Sequence, residues 1–150
     1  MLEFFNADYG DDLRKILPCS PVSGYFNPMA PEFKIYQKDN IVYADGHFSR
    51  MHEGPPDCVH GGMLSAFYDQ VLAFTGIANQ TPGMTASLTV KYRRPTPLFK
   101  SLRFSCWVEK ISGRNIIIHG ECHCDDELLS SSEGLFIHHE KTRSSTTFNK

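Results

Sequence analysis

No stretch of this 150-residue chain approaches the roughly 20 consecutive apolar residues that a membrane-crossing helix requires, so a soluble protein without a membrane partner is expected. Neither sign of charge dominates. Fifteen Lys and Arg face 17 Asp and Glu, for a net charge of −2. No broad positive field is available to draw in nucleic acid, which is therefore not expected as a partner. The five cysteines (Cys19, Cys58, Cys106, Cys122, Cys124) contain no CxxC pair and are odd in number. That pattern argues against a disulfide framework and predicts reduced thiols in the cytoplasm. The opening MLEFFNADYGDDLRKIL has no basic segment followed by an apolar one, and its acids argue against a transit peptide. Repeats and linker tracts are missing too. A single domain over 1–150 is expected, with 1–30 as an N-terminal extension and a polar, frayed tail over 140–150.

What is present reads as a short leading helix and one long helix among strands. Residues 7–17 place Leu13, Ile16 and Leu17 at helical spacing before Pro18 and Pro21, which predicts a short leading helix and then a loop. Alternation over 33–49 about Asp39-Asn40 predicts a hairpin. RMHEGPPDCVH (50–60) is a loop, and Gly62 to Ile77 is apolar nearly all round, without proline, as in a buried helix. Residues 83–138 read as four consecutive strands, with turns at Pro95/Pro97, at 112–115 and at 125–127. In the first of these strands Ala86, Leu88, Val90 and Tyr92 alternate against Thr85, Ser87, Thr89 and Lys91. One buried helix followed by an antiparallel meander predicts an α+β fold in which a curled sheet wraps around the long central helix. The strand edge left open predicts at least a dimer.

Two features carry chemistry. Asp69 is a carboxylate in the middle of the apolar helix, flanked by Phe67, Tyr68, Val71 and Leu72. Such a charge must be compensated or used, either in a structural hydrogen bond or at a functional site. On its helix face stand the small residues Ser65, Ala66, Ala73 and Gly76, which leave room for a ligand or another element. Directly before the helix, His60-Gly61-Gly62 combines a backbone unobstructed by Cβ atoms with the unpaired N–H groups of a helix start. This is the donor arrangement that a polarised carbonyl oxygen needs, although Gly-Gly before a helix also serves as a plain turn.

The spacing of the two features, with Asp69 nine positions after His60, resembles the hotdog-fold acyl-CoA thioesterases of the phenylacetate-pathway and fatty-acyl type. The resemblance extends to GPPDCVHGG (54–62) and GMTASLTVKYRRPTPL (83–98), about half the chain. It implies a hotdog fold and Asp69 as general base or nucleophile on the thioester. It also implies the Gly61 N–H, with Gly62 nearby, as the carbonyl clamp, and His60 as orienting that turn or touching substrate. Thr85 would help hold the attacking water and Ser87 would be a second hydroxyl near it. In that family the carboxylate and the HGG turn of one site come from different subunits. A homodimer, with pairing into a tetramer left open, would therefore be the active unit. Some members have Asn or Gln six positions before the histidine, where this chain has Gly54. The departure leans the substrate toward medium- to long-chain fatty acyl groups and away from small aromatic ones. Coenzyme A contacts are implied near Lys91, Arg93 and Arg94.

No cofactor is expected beyond the coenzyme A of the substrate. His119, Cys122, His123 and Cys124 invite zinc, but on one strand they point to opposite faces, so no metal site is expected. The alternatives to hydrolysis of a fatty acyl-CoA are a non-catalytic acyl-ligand binding module, a thioesterase for an aromatic acyl-CoA and, last, a hydratase.

Overall fold

The computed structural model describes residues 12–138. Its elements are β1 (Glu32–Lys38), β2 (Ile41–His47), α1 (Gly61–Ala78), β3 (Met84–Tyr92), β4 (Leu102–Ser112), β5 (Asn115–Cys124) and β6 (Glu127–Ile137). Asp39, Gly113 and Asp125 open the three hairpin turns with φ of +56°, +60° and +48°. Short hairpins need this left-handed geometry to match strand twist. Of the leading helix expected over 7–17, residues 7–11 lie outside the described residues, as do His139 and the tail from Glu140. Within the described part, a single 3₁₀ turn over Leu13–Ile16, capped by Asp12, buries Leu13 and Ile16. Hydrogen bonds from the Arg14 side chain hold the Asp12 carboxyl below its ordinary range, against the opposing effect of burial.

The six strands form one antiparallel sheet in the order β1-β2-β4-β5-β6-β3. This corrects two expectations. First, β3 does not begin a meander. It pairs with β6 at the far edge, and residues 93–101 cross back to β4 rather than turning tightly. The helix explains the jump. Eighteen residues span about 27 Å, more than the roughly 19 Å that separate the β2 and β3 positions four strand spacings apart. Second, the sheet does not curl around α1. It is open, with β1 and β3 as its edges among the described residues, and the helix packs on one of its faces against all six strands. No wrapping is required, because the side of α1 turned from the central strands, toward the β3 edge and solvent, carries small and polar residues. Gly62, Ser65, Ala66, Asp69 and Ala73 stand there half-buried or exposed, and Gln70 accepts a hydrogen bond from the Ser20 hydroxyl. The apolar side packs inward as Leu64, Phe67, Tyr68, Val71, Leu72 and Phe74.

An aromatic cluster holds helix to sheet. The Phe104 ring on β4 contacts Phe67 (4.8 Å between centroids), Tyr68 (5.1 Å), Phe33 (5.7 Å) and Phe48 (6.4 Å). The buried Tyr68 hydroxyl lies 2.8 Å from Ser130 Oγ, so its one polar atom is satisfied, and burial pushes the phenol pKa up. All five cysteines are free. Burial drives the Cys122 thiol up to about 12 and Cys106 in the same direction, so both are inert apolar filling.

Candidate active site

The loop ahead of α1 is built to present the helix start. Its two arms close through an antiparallel bridge between Glu53 and Val59 and a hydrogen bond from Gly54 N to Cys58 O (2.9 Å). The crossover from β3 braces it from outside, where Val59 N donates to Thr96 O (2.8 Å) and Leu98 N to Asp57 O (3.1 Å). Gly54 lies against His60, and a Cβ on it would stand 2.6 Å from His60 Cα. The absence of a carboxamide at this position therefore has a steric cause: this loop has no room for a side chain there.

His60 is the N-cap of α1, with φ −61° and ψ 130°, and its Nδ1 accepts from Gly62 N at 2.9 Å. An accepting Nδ1 carries no proton, so in this arrangement the ring is the neutral Nε2–H tautomer. The expectation that Gly62 assists Gly61 as a carbonyl clamp meets this bond, because the Gly62 N–H is already engaged. As the first residue of the helix, Gly61 has no preceding turn to pair its N–H.

Asp69 stands half-buried two turns further along α1 and accepts a hydrogen bond from Thr85 Oγ1 at 2.7 Å. Simple alternation along β3 places Thr85 on the face opposite Leu88, Val90 and Tyr92. A bulge reverses this. The register shifts between Thr85 and Ser87, so that Thr85 pairs with Phe136 and Leu88 with Gly134, and Ala86 is the extra residue. Thr85 thereby joins Leu88, Val90 and Tyr92 on the helix-facing side. Ser87, expected as a second hydroxyl beside it, pairs with Leu135 on the outer face, and the structure does not bring it to Asp69.

The cationic end of β3 divides in a similar way. Arg94 is ion-paired with Glu127, and Lys91, next to the inward Tyr92, belongs to the outer face with Ser87. Among the described residues neither Lys91 nor Arg93 forms an ion pair. The stretch from 119 to 126 holds His119 against Glu133 (2.8 Å) and stacked on Trp107, with Cys122 buried and His123 3.9 Å from Glu121. Among the described residues no group of three or more His, Cys, Asp or Glu could hold a metal ion, and no helix is long and apolar enough to cross a membrane.

One residue that the motifs did not single out reaches the site. The Tyr92 hydroxyl donates to Gly61 O at 2.7 Å and lies 2.6 Å from Ser65 Oγ. Its only trace in the sequence is an inward position at the end of β3.

The thioesterase superfamily pattern covers residues 57–131, and the chain belongs to that hotdog-fold superfamily. It is similar to a thioesterase superfamily protein of known crystal structure, with 32% identity and a TM-score of 0.78 over 87% of this chain and 67% of that one. It is also 31% identical to the acyl-coenzyme A thioesterase THEM4 of Bos taurus, over 63% of this chain and 39% of that protein. The chain thus spans about two-fifths of that relative's length. The phenylacetic acid degradation protein PaaI of Thermus thermophilus shares the fold at a TM-score of 0.65 and 18% identity, covering 71% of this chain and 93% of that one.

Proposed function

We propose that this protein hydrolyses the thioester of a medium- to long-chain fatty acyl-coenzyme A to the free acid and coenzyme A. The hydrogen bond from Thr85 to Asp69 carries the reading, because it holds one carboxylate oxygen and leaves the other to act. In this mechanism Asp69 takes a proton from a water held beside Thr85, and the water oxygen attacks the thioester carbon. The oxyanion forms against the Gly61 N–H at the positive end of α1. Collapse breaks the C–S bond, and the proton on Asp69 passes to the departing thiolate. Direct attack by the carboxylate, followed by hydrolysis of the anhydride, is the second route open to the same groups. Lys91 and Arg93 are assigned to the coenzyme A phosphates, and the five free thiols support a cytoplasmic location.

The test is thiol release from acyl-CoAs ranging from acetyl to palmitoyl, with phenylacetyl-CoA alongside. Release that is fastest on medium or long chains supports the proposal. Fastest release from phenylacetyl-CoA would shift the substrate class, and binding without any release would make the protein an acyl-ligand binding module.

Asp69 and Gly61 of one chain do not serve the same carbonyl, since eight residues of helix separate them by about 12 Å. The proposed site is therefore completed by a second copy paired along the open edge of β3, a nine-residue strand none of whose residues is buried. A mixing experiment reads this out. Asp69→Asn lacks the base. Gly61→Pro lacks the donor but keeps a residue suited to the first helical position, after a His60 already in the extended backbone that precedes proline. Each variant alone is expected to be inactive. Mixed and re-equilibrated, they should recover roughly a quarter of wild-type activity, because one of the two sites in each heterodimer is intact. No recovery would place both groups in one subunit's site.

A further inference from the structure

The Gly61–Gly62 peptide is gripped at both of its polar ends. Its N–H donates to His60 Nδ1 at 2.9 Å, and its carbonyl oxygen, on Gly61, accepts from the Tyr92 hydroxyl at 2.7 Å. With the Tyr92 proton committed to Gly61, the Ser65 hydroxyl at 2.6 Å donates to Tyr92 Oη and fixes its direction. Glycine has the widest choice of backbone angles, so Gly61 does not by itself hold its N–H in one orientation. Pinning the peptide that follows it removes that freedom. The Tyr92 ring also lies over Gly61, 3.7 Å from where a Cβ would stand.

We infer that Tyr92 is a positioning residue for the Gly61 donor, with Ser65 orienting its hydroxyl, and that β3 thereby aligns both halves of the chemistry. One end of the strand holds Asp69 through Thr85, and the other holds the carbonyl clamp through Tyr92. The inference rests on the thioesterase reading above. Tyr92 touches neither the substrate carbonyl nor the water. It acts through Gly61.

The experiment compares wild type, Tyr92→Phe and Ser65→Ala by steady-state thiol release from the best acyl-CoA, with hydrogen exchange of the Gly61 amide followed by NMR. Tyr92→Phe is expected to lower kcat about five- to tenfold with KM within about twofold, the size of one lost hydrogen bond felt in the transition state. Gly61 exchange should accelerate, and Ser65→Ala should move both readouts the same way by less. A merely structural tyrosine would lower the melting temperature and leave kcat per folded molecule and Gly61 exchange where they were. Unchanged kcat, or a fall matched by an equal rise in KM, overturns the inference. If Tyr92→Phe does not fold, Ser65→Ala decides, because it keeps the ring: unchanged kcat there overturns the inference and a reduced one supports it. A wild-type protein that releases no thiol overturns the thioesterase reading itself and the inference with it, an outcome distinct from active wild type and unaffected Tyr92→Phe.

Discussion

Asp69→Asn is expected to slow thioester hydrolysis by about 10²–10⁴-fold, the usual contribution of a general base, with little change in melting temperature. The substitution separates chemistry from structure. An asparagine oxygen still accepts the hydrogen bond that Thr85 Oγ1 gives Asp69 at 2.7 Å, so the α1–β3 contact survives. The side chain is half-buried and faces away from the aromatic core, so no cavity forms. What disappears is the capacity to take a proton. Steady-state kinetics and thermal unfolding on the same sample decide the matter. A loss of activity under tenfold would assign Asp69 a structural role, and a loss that tracks unfolding would say the same.

The largest effect on stability is expected at Phe104→Ala, at about 3–5 kcal/mol. The ring is fully buried and meets Phe33, Phe48, Phe67 and Tyr68, joining β1, the segment after β2, and α1 through one side chain. Removing it leaves a cavity that four rings held by three separate segments cannot jointly fill. For a domain of this size the melting temperature should fall by roughly 6–20 °C. Phe26, at 71% exposure, is the control, and its replacement by alanine should change stability by no more than about 0.5 kcal/mol. Equal effects at the two positions would contradict the core described above.

Local pattern made α1 legible to within a residue at each end, as Gly62–Ile77 against the observed Gly61–Ala78. An apolar run without proline has few other conformations to choose from. The hairpins followed for the same reason, since Asp39-Asn40 and Gly113-Arg114 are turn chemistry acting over four residues. The seat of β3 beside β6 was not legible. A strand's neighbour depends on which edge is vacant after the rest of the sheet has formed, and the alternation of β3 suits either place. The face on which Ser87 stands was not legible for a related reason, because a bulge is visible only against the partner strand that counts one residue fewer.

Short-range pattern thus carried the central helix, the hairpin turns, the HGG turn at the helix start and the carboxylate nine residues after the histidine, all of which rest on residues close along the chain, while the leading helix it also predicted is a single 3₁₀ turn within the described residues. Packing across the fold settled the rest: the sheet stays open, Ala86 bulges and turns Thr85 onto Asp69, and Tyr92 reaches across to Gly61. Those outcomes depend on strand register and on packing between residues far apart in the chain, and such contacts form together with the whole fold or not at all.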